Sequence, residues 1–509
     1  MVRSLLFSSI TFLYYFLPAV LVIYYLAPAK VKNLILFLAS FVFYLWGEPK
    51  YSVLLLFSVT AGYMGGRCIE YQRQKKCVSA ADPADRSGKY KGGHDRLVVG
   101  IFTAMTLGLL VFFKYMDFLA DSVNRILGTH VPMVQIALPV GISFYTFQII
   151  SYYVDVYRGE VAAEHNFVDF AAYVTMFPQL IAGPIVRFQS VQAELKHREI
   201  TWEKTGEGAA RFVCGLCKKV LIADSLASLV SALQNISETA AKTEAVVTTG
   251  IRAEGAGIGT LGYWVLALAF MLQLYYDFSG YSDMAIGLGK ILGFTFPENF
   301  RYPFISKSIS EFWRRWHMTL GGWFRDYLYI PLGGNRVSVL RWCFNMFVVW
   351  LLSGLWHGAG WNFLFWGLWF AFFLILEKLF LGDILESVPK VFGRIYTLAV
   401  VLISWVFFAL ENPGEILAYL QAMFGMNGIG PVNSLAMFLC NEYLVLLVIA
   451  LVACLPLGSR LVHALKSSKT GPAMALYRLG EKVIPAVLLL LSVAYIVDAS
   501  YNPFLYFRF

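Results

Sequence analysis

The chain has 509 residues, of which 58% are hydrophobic and only 14% are charged. A water-soluble domain usually carries about 25% charged residues, so this composition excludes a soluble protein, a disordered chain and a coiled coil. It predicts an all-α polytopic membrane protein with one transmembrane domain over 1–509. The net charge of +9 is interpreted as basic loops that face anionic lipid, and not as a nucleic-acid interface.

Apolar runs long enough to cross, or nearly cross, about 30 Å of hydrocarbon recur along the chain, which predicts about 11–12 crossings. They lie at 10–27, 33–47, 51–66, 97–115, 137–156, 211–233, 260–277, 341–357, 361–381, 391–410, 436–457 and 483–500. Two further stretches, 167–186 and 280–294, are interrupted by proline or glycine. Both are predicted to be half-helices or re-entrant segments, which survive at membrane depth only where protein or a water-filled cavity surrounds them.

Basic residues mark the loops that are predicted to face the cytoplasm. They cluster in 67–96, 187–219, 301–341 and 458–482, whereas 234–258 contains few of them. The positive-inside rule then places both chain termini outside, provided that 167–186 does not cross. No cleavage site follows the first apolar run, so it is expected to remain as a membrane span.

Most of the seven histidines lie in polar loops and are expected to be solvated; these are His94, His130, His165, His197 and His463. His317 differs, because it lies in a stretch where aromatic and leucine side chains recur at helical spacing between arginines. The residues of that stretch are Trp313, Arg314, Arg315, Trp316, Leu320, Trp323, Phe324 and Arg325. The spacing predicts an amphipathic interfacial helix, in which His317 is either a functional residue or a histidine at headgroup level.

His357 ends an apolar helix and opens a glycine-rich turn that continues to Asn362. Small residues around it allow another backbone or a ligand to approach closely. Burial disfavours the charged form of histidine, so we expect a neutral imidazole that is able to take a proton from a hydroxyl. The alternative is a histidine that packs between helices and binds a carbonyl group.

Other polar residues interrupt apolar surroundings. Asp277 and Asp283 belong to the polar cluster from Tyr275 to Asp283, where they would orient a histidine or pair with an arginine. A glycine turn beside Arg336 is a weak indication of phosphate binding. Cys214 and Cys217 lie in an apolar helical stretch without a second pair, so no metal site is expected.

At these residues the chain resembles the membrane-bound O-acyltransferase superfamily, in its alginate O-acetyltransferase-like branch. The stretches that carry the resemblance are 141–159 (GISFYTFQIISYYVDVYRG), 176–188 (MFPQLIAGPIVRF), 276–294 (YDFSGYSDMAIGLGKILGF), 299–336 (NFRYPFISKSISEFWRRWHMTLGGWFRDYLYIPLGGNR) and 351–369 (LLSGLWHGAGWNFLFWGLW). They fall within 141–369 and follow one another in the family's order.

The resemblance implies a ring of transmembrane helices pierced by a tunnel. It places the catalytic histidine at His357 and a second functional histidine at His317. Asp277, Asp283, Asn362 and Arg315 are expected to support them, and Arg314, Arg325 and Arg336 to bind the donor. That donor is acetyl-CoA or another acyl thioester on the cytoplasmic side. It is expected as a substrate, and no tightly bound cofactor is expected.

The last residues, 504–509, resemble the terminal aromatic motif of polysaccharide acylation systems, which implies Tyr506 as an acyl relay; the alternative is an aromatic residue at the membrane interface. Members of such systems usually act with an extracytoplasmic SGNH-esterase-like partner on a polysaccharide acceptor.

Three other functions remain open: D-alanyl transfer to teichoic acid from a carrier protein, solute transport, and a catalytically silent scaffold.

Overall fold

The computed structural model describes residues 6–79, 93–246, 257–426, 428–468 and 471–498, and these contain helices and no strand. Most are α-helices. They are α1 (Leu17–Leu26), α2 (Lys32–Gly47), α3 (Ser52–Ser79), α4 (Gly93–Leu127), α5 (Ile142–Arg158), α6 (Phe167–Thr175), α7 (Phe177–Leu180), α8 (Phe188–Lys196), α9 (Trp202–Cys217), α10 (Asp224–Val246), α11 (Gly259–Ile291), α12 (Ile309–Trp313), α13 (Met318–Phe324), α14 (Val339–His357), α15 (Trp361–Leu376), α16 (Gly382–Ser387), α17 (Lys390–Ala409), α18 (Pro413–Met423), α19 (Ser434–Glu442), α20 (Leu444–Ala453), α21 (Leu457–Ser467) and α22 (Gly471–Asp498).

Eight helices of the described chain are long and apolar enough to cross a membrane. They are Ala29–Gly47, Ser52–Lys75, Asp95–Leu127, Gly259–Ile291, Val339–His357, Trp361–Ser387, Lys390–Ala409 and Gly471–Asp498. The pair α19 and α20, bent by 56°, makes a ninth if it is one broken span. The remaining predicted spans fall on shorter or less apolar helices, such as Phe12–Leu26. The chain is therefore an all-α, multi-pass membrane protein, as its composition predicts.

The two predicted half-helices have different outcomes. Around 167–186 the chain forms α6 and the single turn α7, with a break at Met176, so this stretch is broken as predicted. The prediction of a separate half-helix at 280–294 is wrong, because α11 runs without a break through Gly280 and Gly287 to Ile291. Neither glycine breaks the helix, and each allows a close approach of another backbone: a Cβ at Gly287 would lie 2.6 Å from the carbonyl oxygen of Gly208.

The described chain divides into two compact units, Met1–Phe212 with Ser282–Glu298, and Val213–Tyr281 with Asn299–Phe509. In the first unit, the buried ring of Tyr152 on α5 contacts Phe170 and Phe188, with ring centroids 4.8 and 5.1 Å apart. Asp169 on α6 is paired there with Asn33 and Lys196 at 2.6 and 2.7 Å. This unit thus combines an aromatic core with paired polar groups.

The second unit contains the histidine-bearing segments. Its α14 and α15 are joined by only three residues and pack closely, because a Cβ at Gly354 would lie 2.2 Å from the carbonyl oxygen of Phe363. At Gly367 a Cβ would lie 2.3 Å from the carbonyl oxygen of Trp350. Glycine at both positions lets the two backbones touch, as small residues do in membrane helix pairs.

Candidate active site

The stretch that was predicted as one amphipathic helix around His317 is broken at that residue. Here α12 ends at Trp313 and α13 begins at Met318, with His317 in the left-handed backbone region (φ 45°, ψ 51°). That conformation costs a residue other than glycine roughly 1–2 kcal/mol. Two backbone hydrogen bonds hold the turn, from the Arg301 N–H to the Arg315 carbonyl (2.8 Å) and from the Met318 N–H to the Asn299 carbonyl (2.9 Å).

The start of α12 is capped twice. The Ser308 hydroxyl accepts a hydrogen bond from the Glu311 N–H, in the usual N-cap manner. The buried Glu377 carboxylate accepts hydrogen bonds from the Ile309 and Ser310 N–H groups at 2.5 and 2.9 Å. A negative charge at a helix N-terminus is favourable, so Glu377 anchors the segment that leads into His317.

Arg315 stabilises the same turn. Its guanidinium donates two hydrogen bonds to Glu311, at 3.0 and 2.9 Å, and one to the carbonyl of Arg301. Burial raises the pKa of Glu311, but the Lys307 N–H and the Arg315 guanidinium outweigh it and hold the pKa below its usual value. Arg315, which was predicted to support the histidines, therefore lies beside the turn that contains His317 and binds the backbone carbonyl of Arg301.

The imidazole of His317 is 1% exposed, and its Nδ1 lies 3.1 Å from Asn299 Oδ1. The same oxygen accepts hydrogen bonds from the Thr319 hydroxyl (2.9 Å) and the Thr319 N–H (3.3 Å). His317 Nε2 is buried and has no hydrogen-bond partner among the described residues. Burial lowers the pKa of His317 to about 3, so the ring is neutral at physiological pH.

His357, at the end of α14, is 7% exposed and lies among aromatic rings. Its ring centroid is 4.8 Å from that of Trp366 and 5.5 Å from that of Phe408, with both pairs near perpendicular. The centroid of His317 lies 6.5 Å away. The two histidines that are 40 positions apart in the sequence are thus brought together in one aromatic enclosure of the second unit.

Asn362 is the second residue of α15, just after the glycine turn, and it is 2% exposed. Its Nδ2 is buried without a hydrogen-bond partner in the described part of the chain. A buried amide N–H₂ that lacks a protein acceptor is costly unless a ligand or water supplies one. This residue is therefore a potential hydrogen-bond donor to a bound group.

The two aspartates form ion pairs. Asp277 binds Lys219 at 2.7 Å, and Lys219 also binds Asp224 at 2.7 Å. Asp283 pairs with Arg211, which also reaches Glu298 at 2.7 Å. The two expectations for these aspartates were orienting a histidine or pairing with an arginine. Asp283 has the arginine partner, whereas the cation that pairs with Asp277 is a lysine.

The arginines predicted to bind the donor differ in their surroundings. Arg325 is exposed and donates hydrogen bonds to Asp326 at 2.7 and 3.1 Å. Arg314 and Arg336 are exposed, and neither has an ion pair within the described residues. Arg314 and Arg336 are therefore more available to an anionic ligand than Arg325 is.

Asn299, Thr319 and Glu377 are the site residues that the sequence analysis did not single out. Asn299 is the first residue of the quoted stretch 299–336, where a lone amide stands among aromatic residues, and this was the available signal. Nothing in the sequence pairs it with His317, because the hydrogen bond depends on the turn. Tyr506 and the motif 504–509 lie outside the described residues.

Comparison with known proteins gives a consistent picture. The profile described as "MBOAT, membrane-bound O-acyltransferase family" matches residues 158–412, which include both histidines. The probable alginate O-acetylase AlgI of Pseudomonas aeruginosa is 42% identical over 430 residues, which are 82% of this chain and 75% of that protein.

Two further relatives cover most of the chain. The probable alginate O-acetylase AlgI of Azotobacter vinelandii is 37% identical over 99% of this chain and 100% of its own length. The peptidoglycan O-acetyltransferase of Helicobacter pylori is 33% identical over 84% of this chain and 81% of its own length. The similarity thus extends well beyond the motif region.

Proposed function

The chain belongs to the membrane-bound O-acyltransferase family and is an O-acyltransferase, and from this premise we propose that it O-acetylates an extracellular polysaccharide. The names of its relatives, probable alginate O-acetylase and peptidoglycan O-acetyltransferase, support both the acetyl group and a polymeric acceptor. The donor in this proposal is acetyl-CoA, or another acyl thioester, which is supplied from the cytoplasm.

The observation that carries the proposal is the pair of buried imidazoles, with ring centroids 6.5 Å apart. Two histidines enclosed by Trp356, Trp366 and Phe408 are shielded from bulk water, which would otherwise compete with the acceptor hydroxyl for the thioester. A neutral imidazole is a suitable general base for a hydroxyl, because its conjugate acid then returns the proton. The enclosure thus offers what acyl transfer to an alcohol requires.

In the proposed reaction, His357 removes the proton of the acceptor hydroxyl as the oxygen attacks the thioester carbonyl. The tetrahedral intermediate collapses with loss of the thiolate, and the imidazolium of His357 gives its proton to that sulfur. General base assistance contributes about 10²–10⁴-fold. Asn362 Nδ2 is the side-chain donor we propose for the developing oxyanion, which needs a preorganised hydrogen bond.

The donor's phosphates are proposed to bind Arg314 and Arg336. Both side chains are exposed and lack an ion pair within the described chain, whereas Arg325 is engaged by Asp326. Guanidinium groups bind phosphate through paired N–H donors, so these two residues suit a nucleotide-bearing thioester. His317 would orient the donor or assist proton transfer.

The acceptor side involves groups beyond the described residues. The acetyl group would pass to Tyr506, or directly to an extracytoplasmic SGNH-esterase-like partner, and then to the polymer. Both chain termini are proposed to lie outside the cytoplasm, on the basis of the loop charges. This arrangement requires donor and acceptor to reach the histidine pair from opposite sides of the membrane.

The first prediction tests the proposed base. We expect His357→Ala to insert and fold but to lose polymer acetylation, because the proposed base for the acceptor hydroxyl is removed. Mass spectrometry of the extracellular glycan from cells carrying each variant measures the result. His463→Ala is the matched control, since that histidine is exposed on α21 and should leave acetylation unchanged.

Full acetylation by His357→Ala would remove this residue from the mechanism. The same spectra separate the alternatives. D-alanyl esters in place of acetyl esters would indicate the carrier-dependent transfer, and an unmodified glycan with measurable solute flux in liposomes would indicate a transporter. Normal acetylation by a chain lacking both histidines would indicate a scaffold for another enzyme.

A further inference from the structure

We propose that Asn299 is a positioning residue for His317, which it holds in the Nδ1–H tautomer so that Nε2 carries the lone pair toward the reacting groups. This inference rests on the proposed function for its catalytic meaning, but the tautomer itself is a property of the folded chain. It assigns a role to a residue that the sequence analysis did not single out.

The direction of the hydrogen bond follows from the other partners of Asn299. A backbone N–H can only donate, and the Thr319 N–H points at the side-chain atom that also faces His317. That atom must therefore be the amide oxygen and not the NH₂ group, which settles an assignment that amide geometry alone leaves open. The Thr319 hydroxyl at 2.9 Å donates to the same oxygen.

Because Asn299 Oδ1 is an acceptor, His317 Nδ1 at 3.1 Å must be the donor. A neutral imidazole has one N–H, so Nε2 is then unprotonated and can accept a proton or a hydrogen bond. Nε2 is also buried and without a partner among the described residues. A buried ring nitrogen that is unprotonated and without a partner among the described residues is suited to accept a hydrogen bond from the hydroxyl or thiol of a ligand.

The backbone around the pair is equally fixed. The carbonyl of Asn299 accepts the Met318 N–H, so the two residues are tied through main chain as well as side chain. Phe278 packs edge-on against the His317 ring, with centroids 4.7 Å apart and planes at 89°. The left-handed conformation of His317 persists because these contacts determine it, which is typical of strained residues at functional sites.

The groups that face His317 allow a clear pH test. Asn299, Phe278, Trp356 and His357 surround its ring, and among these His357 is the titratable one. Burial alone lowers the pKa of His317 to about 3. A carboxylate in place of the Asn299 amide would stabilise the imidazolium, and the pKa of His317 would rise toward or above its ordinary value of 6.5.

The test compares three variants in proteoliposomes supplied with acetyl-CoA. For Asn299→Leu we expect kcat to fall by about 100-fold with KM little changed, because the His317 ring loses its orientation while the residues proposed to bind the donor are unchanged. Asn299→Asp keeps the acceptor, so activity should persist at high pH. It should then fall as pH drops through the raised pKa of His317. Thr319→Val should give a smaller loss than Asn299→Leu.

Nitrogen-15 NMR of histidine-labelled protein measures the tautomer without any substrate, with the His317 signals assigned by their loss in His317→Gln. We expect an unprotonated Nε2 in the native protein and a shift toward Nε2–H in Asn299→Leu. A native Nε2–H signal, an Asn299→Leu spectrum like the native one, or an Asn299→Asp pH profile like the native one would overturn the proposal. If the native protein transfers no acetyl group, the proposed function fails, while the spectra still decide the role of Asn299.

Discussion

Lys219 shows how a single charged residue is tolerated in the apolar interior of the second unit. Its side chain is 2% exposed and binds Asp277, 3% exposed, and Asp224, both at 2.7 Å. Buried charges are stable only when they are paired, and removing one partner leaves the other uncompensated. Asp277, which the sequence predicts as a functional residue, thus has a structural role: its carboxylate compensates the charge of buried Lys219.

We therefore expect Lys219→Met to destabilise the protein by about 3–5 kcal/mol, because Asp277 would remain buried without its cation. Thermal unfolding in detergent measures the loss. Lys219→Met combined with Asp277→Asn should recover part of it, since the second change removes the stranded charge. Lys204→Met is the control, because its pair with Glu199 is exposed and worth at most about 1 kcal/mol. Equal effects of Lys219→Met and Lys204→Met would contradict this account.

At the scale of elements, the close pair α14 and α15 positions His357. The glycines at 354 and 367 bring the two backbones together, so any side chain at either position would force the helices apart. His357 ends the first helix of the pair, and Trp366, which contacts it, lies on the second. The separation of these helices therefore sets the width of the histidine enclosure.

For this pair, Gly354→Ala is expected to lower the melting temperature and to reduce acetylation, with a destabilisation of about 1–3 kcal/mol typical of overpacking. Gly108→Ala is the matched control. Gly108 is also in a helix, but a Cβ there meets no atom within 4 Å, so alanine should be neutral or slightly stabilising. A Gly354→Ala variant as stable as Gly108→Ala would show that the helices have room to separate.

The segment 308–324 shows where periodicity misleads. Aromatic residues at helical spacing predicted an interfacial helix, but Trp316, Leu320 and Trp323 are buried in protein. The helix breaks at His317 because Glu377 anchors one side and Asn299 the other. Glu377 lies 60 residues after His317 in the sequence, and Asn299 lies 18 residues before it. The spacing of residues within 308–324 therefore could not predict either contact.

At the scale of the whole molecule, the proposed reaction divides into a donor step at the histidine pair and an acceptor step that involves the chain end. We expect Tyr506→Phe to abolish polymer acetylation at unchanged protein level, since the relay hydroxyl is removed. Acyl-CoA binding should be retained, because the arginines and histidines are intact. Tyr15→Phe, a change at an exposed tyrosine of the first unit, should leave the polymer fully acetylated.

Glycan mass spectrometry and a thioester binding assay, run on the same variants, separate these two steps. Full acetylation by Tyr506→Phe would exclude the relay and leave direct transfer to a partner. Loss of both acetylation and thioester binding would instead assign Tyr506 to the integrity of the donor site. None of these outcomes bears on the role of His357, which the His357→Ala variant tests separately.

The sequence by itself determined the all-α membrane architecture, because a chain with so few charges must satisfy its backbone within helices. It also located both histidine motifs. Only the tertiary structure decided that His317 and His357 share one enclosure, that Asn299 holds the first, and that Asp277 and Asp283 are bound in ion pairs. These contacts join residues distant along the chain, and their geometry arises from packing and a strained turn that no local pattern encodes.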